Sequence, residues 1–469
     1  MGKKLSVILL FLVGLVGGEA KAQSINTVLS CGTLGEVAAV TPGSTLFRIF
    51  IDTGVFPAAV CNDGTPGVIF AKRGKGADVH RWLIYLQGGG DCKDGDSCAA
   101  RWCSQGTKFG MDKMSSHFTP ASIGANGIFN PRIDNKFRNW SKVFVYNCSS
   151  DAFGGTTGRT LTATGGVTFD LPMRGGTILN AVLTTLRRAP GPGGIVPPIA
   201  QYDETGDMVP DKAMPDLDLA SQVLLFSSGS AAQAIGHYAD RVRDLLMAND
   251  VDGDIDVKVL IDAGNTPKTE ELDWSRLPNP DYEATMQARW LEEYVFLRST
   301  QVDSSCLAYH QPIGDEWRCA DPIHVLHNHI STPLFAREDV MDPNAQPWPF
   351  GRLGLEDVDF AIRAHHDIGE LAYLDHFSEE GSYMSGGVEL TPAGLFVPQC
   401  QDHTAIRNEE GFFDVRVRAG PKHGKKLSYH DVLHRWVSGN EPTRALVPIP
   451  TPNPETGMIE PMKACSANP

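Results

Sequence analysis

Apolar residues in this chain fall into short runs set off by Gly, Pro, Asn and Asp, and these runs alternate with stretches of helical spacing. The runs 68–70, 81–86, 142–148, 223–226 and 257–261 read as buried strands, and Ser331-Thr332-Pro333 introduces another at 334–336. Helical periodicity marks 176–188 through Ile178, Val182, Leu183 and Leu186, and 232–242 through Ala234, Ile235, Tyr238 and Val242. Residues 280–300 and 351–380 also read as helical, and 427–437 as a last helix that closes the fold. Between these lie a weakly periodic lead-in at 23–60, an insertion of short helices and loops at 93–136, a polar exposed loop at 149–166 and an irregular Pro/Gly-rich excursion at 189–218. Strands that alternate with helices predict an α/β fold with a mostly parallel sheet covered on both faces. There is no internal repeat and no low-complexity tract.

The stretch 223–243 organises the rest. A buried strand runs into the small residues Ser227-Ser228-Gly229-Ser230-Ala231, and a helix follows at once. A serine on such a crowded turn has its hydroxyl lifted clear of the sheet, with the next backbone N–H aimed at a developing oxyanion. Ser230 is the candidate nucleophile. Ser228 and Ala232 stand where the G-x-S-x-G pattern has glycines, and both are small enough for the turn. A serine hydroxyl needs a base, an orienter for that base and oxyanion donors. Gly88-Gly89-Gly90, directly after the strand 81–86, supplies backbone N–H groups with no side chains in the way.

Three further features narrow the class. Lys3 and Lys4, the apolar run 7–16 and Ala20-Lys21-Ala22 form a secretory signal, which makes Gln23 the first mature residue and 23–469 one domain with insertions. The run is too short to span a bilayer, so export to the periplasm or the medium is expected. The ten cysteines all lie after that signal, and an even count in an exported chain predicts disulfides. Cys306 and Cys319 are expected to pair, whereas the connectivity of Cys92, Cys98 and Cys103 stays open. A net charge of −15 disfavours nucleic acid as a partner and offers nothing to anionic lipid.

With these parts in view the chain resembles the pectin acetylesterase and Notum family of carboxylesterases. The likeness is carried by Cys61-Asn62-Asp63-Gly64-Thr65-Pro66, by Trp82 through Cys92 with its Gln-Gly-Gly-Gly-Asp-Cys, by Trp140 through Asp151, and by Arg174-Gly175-Gly176 before a helix. It spans 61–437, with extra length around 189–218 and 343–355. The resemblance implies an α/β-hydrolase fold with a Ser–Asp–His triad in that chain order. Ser230-Ala231 matches the family's Ser-Ala, the segment from Thr332 to Asp342 its acid strand and loop, and Cys400-Gln401-Asp402-His403 its Cys-x-x-His. It therefore implies Ser230 as nucleophile, His403 as base, Asp342 as orienter, and the N–H groups of Gly89, Gly90 and Ala231 as oxyanion donors. The chain departs from the family pattern at Gln87, where Glu is usual, at Asp91, where an aromatic residue is common, and at the flanks of the elbow.

Asp339 and Asp402 are rival acids, and Asp262 at a strand end reads as support for the site. His324, His327 and His329 have metal-like spacing but no evident carboxylate shell, and Asp250, Asp252, Asp254 and Asp256 lack the glycine and glutamate offsets of a calcium loop. No metal and no cofactor is therefore expected. The expected activity is hydrolysis of O-acyl esters, foremost acetyl esters on a polysaccharide such as pectin. The alternatives are a Notum-like deacylase for longer acyl chains and a non-catalytic carbohydrate-binding protein on the same fold.

Overall fold

The computed structural model describes residues 23–29, 31, 46–104, 110–187, 199–205, 207, 209–248, 254–264, 301–342, 357–371, 383–385, 388–419, 424–459 and 465, with isolated positions near 194–196 and 287–294. Residues 1–22, expected to be a signal sequence, most of 280–300 and the expected extra length at 343–355 lie outside them, as do Asp250 and Asp252. Of that acidic run Asp256 begins a strand, and its carboxylate accepts hydrogen bonds from Gln222 and Lys258.

The principal sheet has ten strands. In chain order they are β1 (Leu46–Phe50), β2 (Val68–Lys72), β3 (Arg81–Leu86), β4 (Ser122–Ile123), β5 (Ser141–Val145), β6 (Gln222–Ser228), β7 (Asp256–Asp262), β8 (Leu334–Arg337), β9 (Gly394–Val397) and β10 (Arg444–Leu446). Their order across the sheet is β10-β9-β8-β7-β6-β3-β5-β2-β1-β4. The strands from β10 to β5 all run parallel, and β2, β1 and β4 add an antiparallel margin. Trp82 to Leu86, Val223 to Phe226 and Val259 to Ile261 are buried, which explains why these strands read as continuous apolar runs rather than alternating ones.

Helix α1 (Gly95–Trp102) follows the glycine loop and opens with a capping box between Asp94 and Ser97. Helix α2 (Gly175–Leu186) buries Ile178, Leu179, Val182 and Leu183. Helix α3 (Ala232–Met247) follows the elbow and packs on β6 and β7. Helices α4 (Ser304–His310) and α5 (Pro322–Asn328) form a satellite, and α5 packs on α3. Helices α6 (Asp357–Glu370) and α7 (Tyr429–Val437) follow, with α7 packed on β9.

The architecture is the α/β one that the alternating pattern predicts, and the differences have physical reasons. The polar segment 149–166 is not an exposed loop. Ser149, Ser150 and Phe153 are fully buried, and 157–163 pairs with 167–173 as a hairpin. Its polar residues are consumed locally, since the Asp151 carboxylate accepts from Ser149 Oγ and from the amides of Phe153, Gly155 and Gly175. The lead-in contains a strand, β1, next to the two-residue edge strand β4, and most of it is only half buried, which blurs its pattern. The chain also does not close on a helix, because β10 follows α7.

All ten cysteines pair: Cys31–Cys103, Cys61–Cys148, Cys92–Cys98, Cys306–Cys319 and Cys400–Cys465. Cys61–Cys148 joins positions 87 residues apart. Closing a loop of that length removes unfolded-chain entropy worth about 4–5 kcal/mol.

Candidate active site

The site lies where the sheet changes direction. From β3 the chain goes to β5 on one side, then returns to β6 on the other, so β3 and β6 are parallel neighbours whose C-terminal ends open on a crevice. Ser227 of β6 is in register with Leu86 of β3. The turns that leave these strands, 87–90 and 229–231, therefore emerge side by side.

The backbone bends at Gly229, whose φ is 56°, and Ser230 begins the first turn leading into α3. A left-handed residue here needs glycine for a second reason. A Cβ on Gly229 would lie 2.9 Å from His403 Nε2, so the imidazole sits directly against the elbow. The Ser230 Oγ accepts hydrogen bonds from the Gly90 N–H at 2.9 Å and the Gly89 N–H at 3.3 Å. Among the described residues its hydrogen bonds go to these amides and not to His403. Ala231 is fully buried at the N-terminal edge of α3, where first-turn amides have no helical acceptor.

The glycine loop is clamped from several sides. A Cβ on Gly88 would lie 2.3 Å from the Ser228 carbonyl oxygen, so loop and elbow meet backbone to backbone. Arg101 of α1 donates to the Gly89 carbonyl at 2.8 Å. Gln87, where the family usually has Glu, accepts from the Asn147 N–H at 3.2 Å and so ties the loop to the end of β5. The elbow's own departures are also accommodated. The Ser228 hydroxyl is buried and bonds to the Tyr85 hydroxyl, and the Ala232 methyl fills the space that a side chain on Gly264 would take.

His403 is held from the other side. Its Nδ1 lies 2.8 Å from Asp342 Oδ2, and the Asp342 carboxyl is fully buried while the imidazole is 24% exposed. Such a contact puts the proton on Nδ1 and leaves Nε2 as the acceptor. The rival acids do other things. Asp339 is buried, bonds Arg337, and accepts from the amides of Cys400 and Asp402. Burial raises the Asp339 carboxyl, and the Arg337 guanidinium pulls it back down. Asp262, at the end of β7, accepts from the amides of Ala405 at 2.9 Å and Ile406 at 2.8 Å. Arg337, at the end of β8, spans the gap: it reaches Asp262 at 3.5 Å and donates to the His403 carbonyl at 3.2 Å. Asp262 was readable from the sequence as support. Arg337 was not, because a lone Arg at a strand end carries no signal of its own. Arg101 was missed for the same reason.

A lysine and an asparagine side chain flank the glycine loop at Gly89: Lys113 and Asn147 are the nearest groups to its open face. Burial pushes the Lys113 ammonium down to about 8, with Asp112 opposing, and its Nζ lies over the Tyr146 ring at 4.3 Å. Arg407, four residues beyond His403, stacks over Phe144 at 4.6 Å.

Comparison with known proteins gives the family and the fold. Residues 44–189 match the pectinacetylesterase family. The chain is 34% identical over 105 residues to the inactive palmitoleoyl-protein carboxylesterase notum1b of Danio rerio, covering 22% of this chain and 70% of that protein. It is 23% identical to the palmitoleoyl-protein carboxylesterase notum2 of Xenopus laevis, over 82% of this chain and 66% of that one. It is 32% identical to pectin acetylesterase 7 of Arabidopsis thaliana, over 23% of this chain but only 26% of the plant protein. The solved structure of the Wnt deacylase Notum from Drosophila superposes with a TM-score of 0.58 at 18% identity, covering 86% of this chain and 95% of that one, which shows the α/β-hydrolase fold. This chain belongs to the pectin acetylesterase and Notum family of carboxylesterases.

Proposed function

We propose that the protein is an exported serine esterase that removes O-acyl groups, foremost acetyl, from a saccharide polymer. The observation that carries this reading is the seat of the Ser230 Oγ on the amides of Gly89 and Gly90, beside an imidazole already bound to a buried carboxylate. Two amides converging on one oxygen is what a tetrahedral oxyanion needs. In the resting protein the serine oxygen occupies that position itself. When an ester carbonyl oxygen takes the two amides, a rotation about χ1 frees the Ser230 Oγ to turn toward His403 Nε2.

The Oγ then attacks the acyl carbon and its proton passes to Nε2. Asp342, 2.8 Å from Nδ1, stabilises the imidazolium. The protonated Nε2 gives its proton to the departing alkoxide, which leaves as the alcohol. A water then reverses the steps: His403 takes its proton, the hydroxide oxygen attacks the acyl-enzyme, and the carboxylic acid departs as Ser230 is reprotonated. The Ala231 N–H, at the start of α3, is the third oxyanion donor.

The polar and cationic groups at the glycine loop favour a hydrophilic alcohol over a lipid. Five disulfides support an oxidising compartment, and among the described residues no helix is long and apolar enough to cross a membrane. Ser230→Ala is expected to lower kcat on an acetyl ester by roughly 10⁴-fold or more with the fold intact. Turnover within a few fold of the unmodified protein would refute the assignment.

A second reading deserves its own test, because the notum1b relative is named as inactive. A non-catalytic carbohydrate-binding protein would leave Ser230 unlabelled by a fluorophosphonate, whereas an activated serine is labelled. Rates that rise from acetyl to long acyl chains would instead favour a Notum-like deacylase.

A further inference from the structure

The satellite formed by α4 and α5 contains a feature that ester hydrolysis does not use. His310 ends α4, His324 lies in α5 and His329 follows α5, and all three are buried. Their ring centroids lie 4.8, 5.2 and 5.3 Å apart. One ring nitrogen of each, together with Cys306 Sγ, falls within a sphere of mutual distances no larger than 4.8 Å. Spacing in the sequence draws attention to His324, His327 and His329. The fold keeps two of these, leaves His327 out, and recruits His310 from another helix. It also supplies the carboxylate that the sequence spacing did not show, since Asp315 Oδ1 lies 2.8 Å from His310 Nδ1.

We propose that His310, His324 and His329 form a binding site for a divalent transition-metal ion of the Zn²⁺ type. The Asp315 contact puts the His310 proton on Nδ1, so its Nε2 lone pair faces inward, in the carboxylate–histidine–metal arrangement. That Nε2 lies 2.8 Å from His324 Nε2. Two imidazole nitrogens on one tetrahedral Zn²⁺ are about 3.3 Å apart, given metal–nitrogen distances of about 2.0–2.1 Å. A separation of roughly half an ångström more is therefore all the pair needs. The Cys306–Cys319 disulfide ties α4 to the segment before α5 and makes the frame rigid. It also denies the ion a thiolate, so three imidazoles bind it and the fourth position is left to water. Tyr309 is half exposed, and its ring packs on those of His310 and His329, which sets the side from which an ion enters.

The site braces the catalytic acid's strand rather than reacting. α5 packs on α3, and Asp240 of α3 accepts hydrogen bonds from the amides and hydroxyls of Ser331 and Thr332, which lead into β8.

The test uses the full mature protein, stripped with a chelator, exchanged into metal-free buffer and titrated with Co²⁺ and then Zn²⁺. The expected result is one equivalent per chain, with visible Co²⁺ bands of tetrahedral nitrogen coordination that Zn²⁺ abolishes. His324→Ala and His310→Gln should lose the bands, and Asp315→Asn should weaken affinity about tenfold or more. His366→Ala, which removes the exposed member of the His366–Asp367–Glu370 group, should leave them unchanged. Absence of stoichiometric binding by the folded unmodified protein would overturn the proposal without reference to any variant. So would bands that survive His324→Ala, or that vanish with His366→Ala.

Discussion

Ser230 rests on backbone amides that are reachable because side chains are missing around them, whereas His403 is held by side chains that would be forbidden in most interiors. On the first side, Gly88 lets the loop touch the Ser228 carbonyl and Gly229 lets the elbow touch the imidazole. On the second, three buried carboxylates (Asp262, Asp339 and Asp342) and the buried guanidinium of Arg337 meet within a few residues of the histidine loop. Backbone donors are already oriented and cost little to align when charge develops. A loop with no regular structure has no such frame. Its position must be imposed by partners strong enough to outweigh its entropy, and buried ionic hydrogen bonds to its amides do that. The Cys400–Cys465 disulfide adds a covalent constraint three residues before His403.

The contrast can be broken from either side, and the expected effects are ordered. After loss of Ser230 itself, Gly88→Ala should be the most damaging to turnover, because a methyl 2.3 Å from a carbonyl in the central strand must push the glycine loop off the elbow. A displacement near 1 Å costs about 100-fold in kcat/KM, and steady-state kinetics on an acetyl ester would read it. Activity within a few fold would mean that the loop is not clamped as described. Arg337→Met acts on stability rather than turnover. It leaves Asp262 and Asp339 buried without their cation, at a cost of about 3–5 kcal/mol, measurable by urea denaturation. A loss below about 1 kcal/mol would mean that amides alone hold the histidine loop.

Lys113 offers a pH test of the glycine side. Its ammonium is held down to about 8 by burial, so it is charged below that pH and neutral above it. KM for an anionic saccharide ester should rise several-fold as pH passes 8, whereas KM for a neutral acetyl ester should not. Lys113→Met should flatten the difference. Because the folded value is below the unfolded one, the same group makes stability rise with pH between about 8 and 10.4. A KM profile shared by both substrates would remove Lys113 from substrate binding. The smallest effect is expected for Ser228→Ala. It leaves the Tyr85 hydroxyl buried without this partner, at a cost of about 1 kcal/mol in thermal or chemical unfolding.

Legibility in the sequence follows the same division. The buried strands 81–86, 223–226 and 257–261 were plain because a parallel sheet covered on both faces needs unbroken apolar runs. The glycine loop and Ser230 were readable because backbone devices leave a local mark: small residues directly after a strand. The hairpin at 157–173 was hidden in its first strand, Thr157–Ala163, which is Thr-rich and largely exposed and so looks like a loop, although Phe169, Leu171 and Met173 of the second alternate inward. Among the candidate acids, the family resemblance favoured Asp342, and only the geometry set its carboxylate against the imidazole while giving Asp339 and Asp262 to the amides of the same loop.

The primary structure by itself determined the alternation of elements and the place of the strand–turn–helix that carries Ser230, because each is written in neighbouring residues, and composition alone determined the even set of cysteines. The tertiary structure decided which distant residues share a charge or a ring edge. Arg337 joins Asp262 to Asp339 across strand ends, and His310 joins His324 across two helices. Those contacts depend on strand order and helix packing, and a linear spacing carries no record of either.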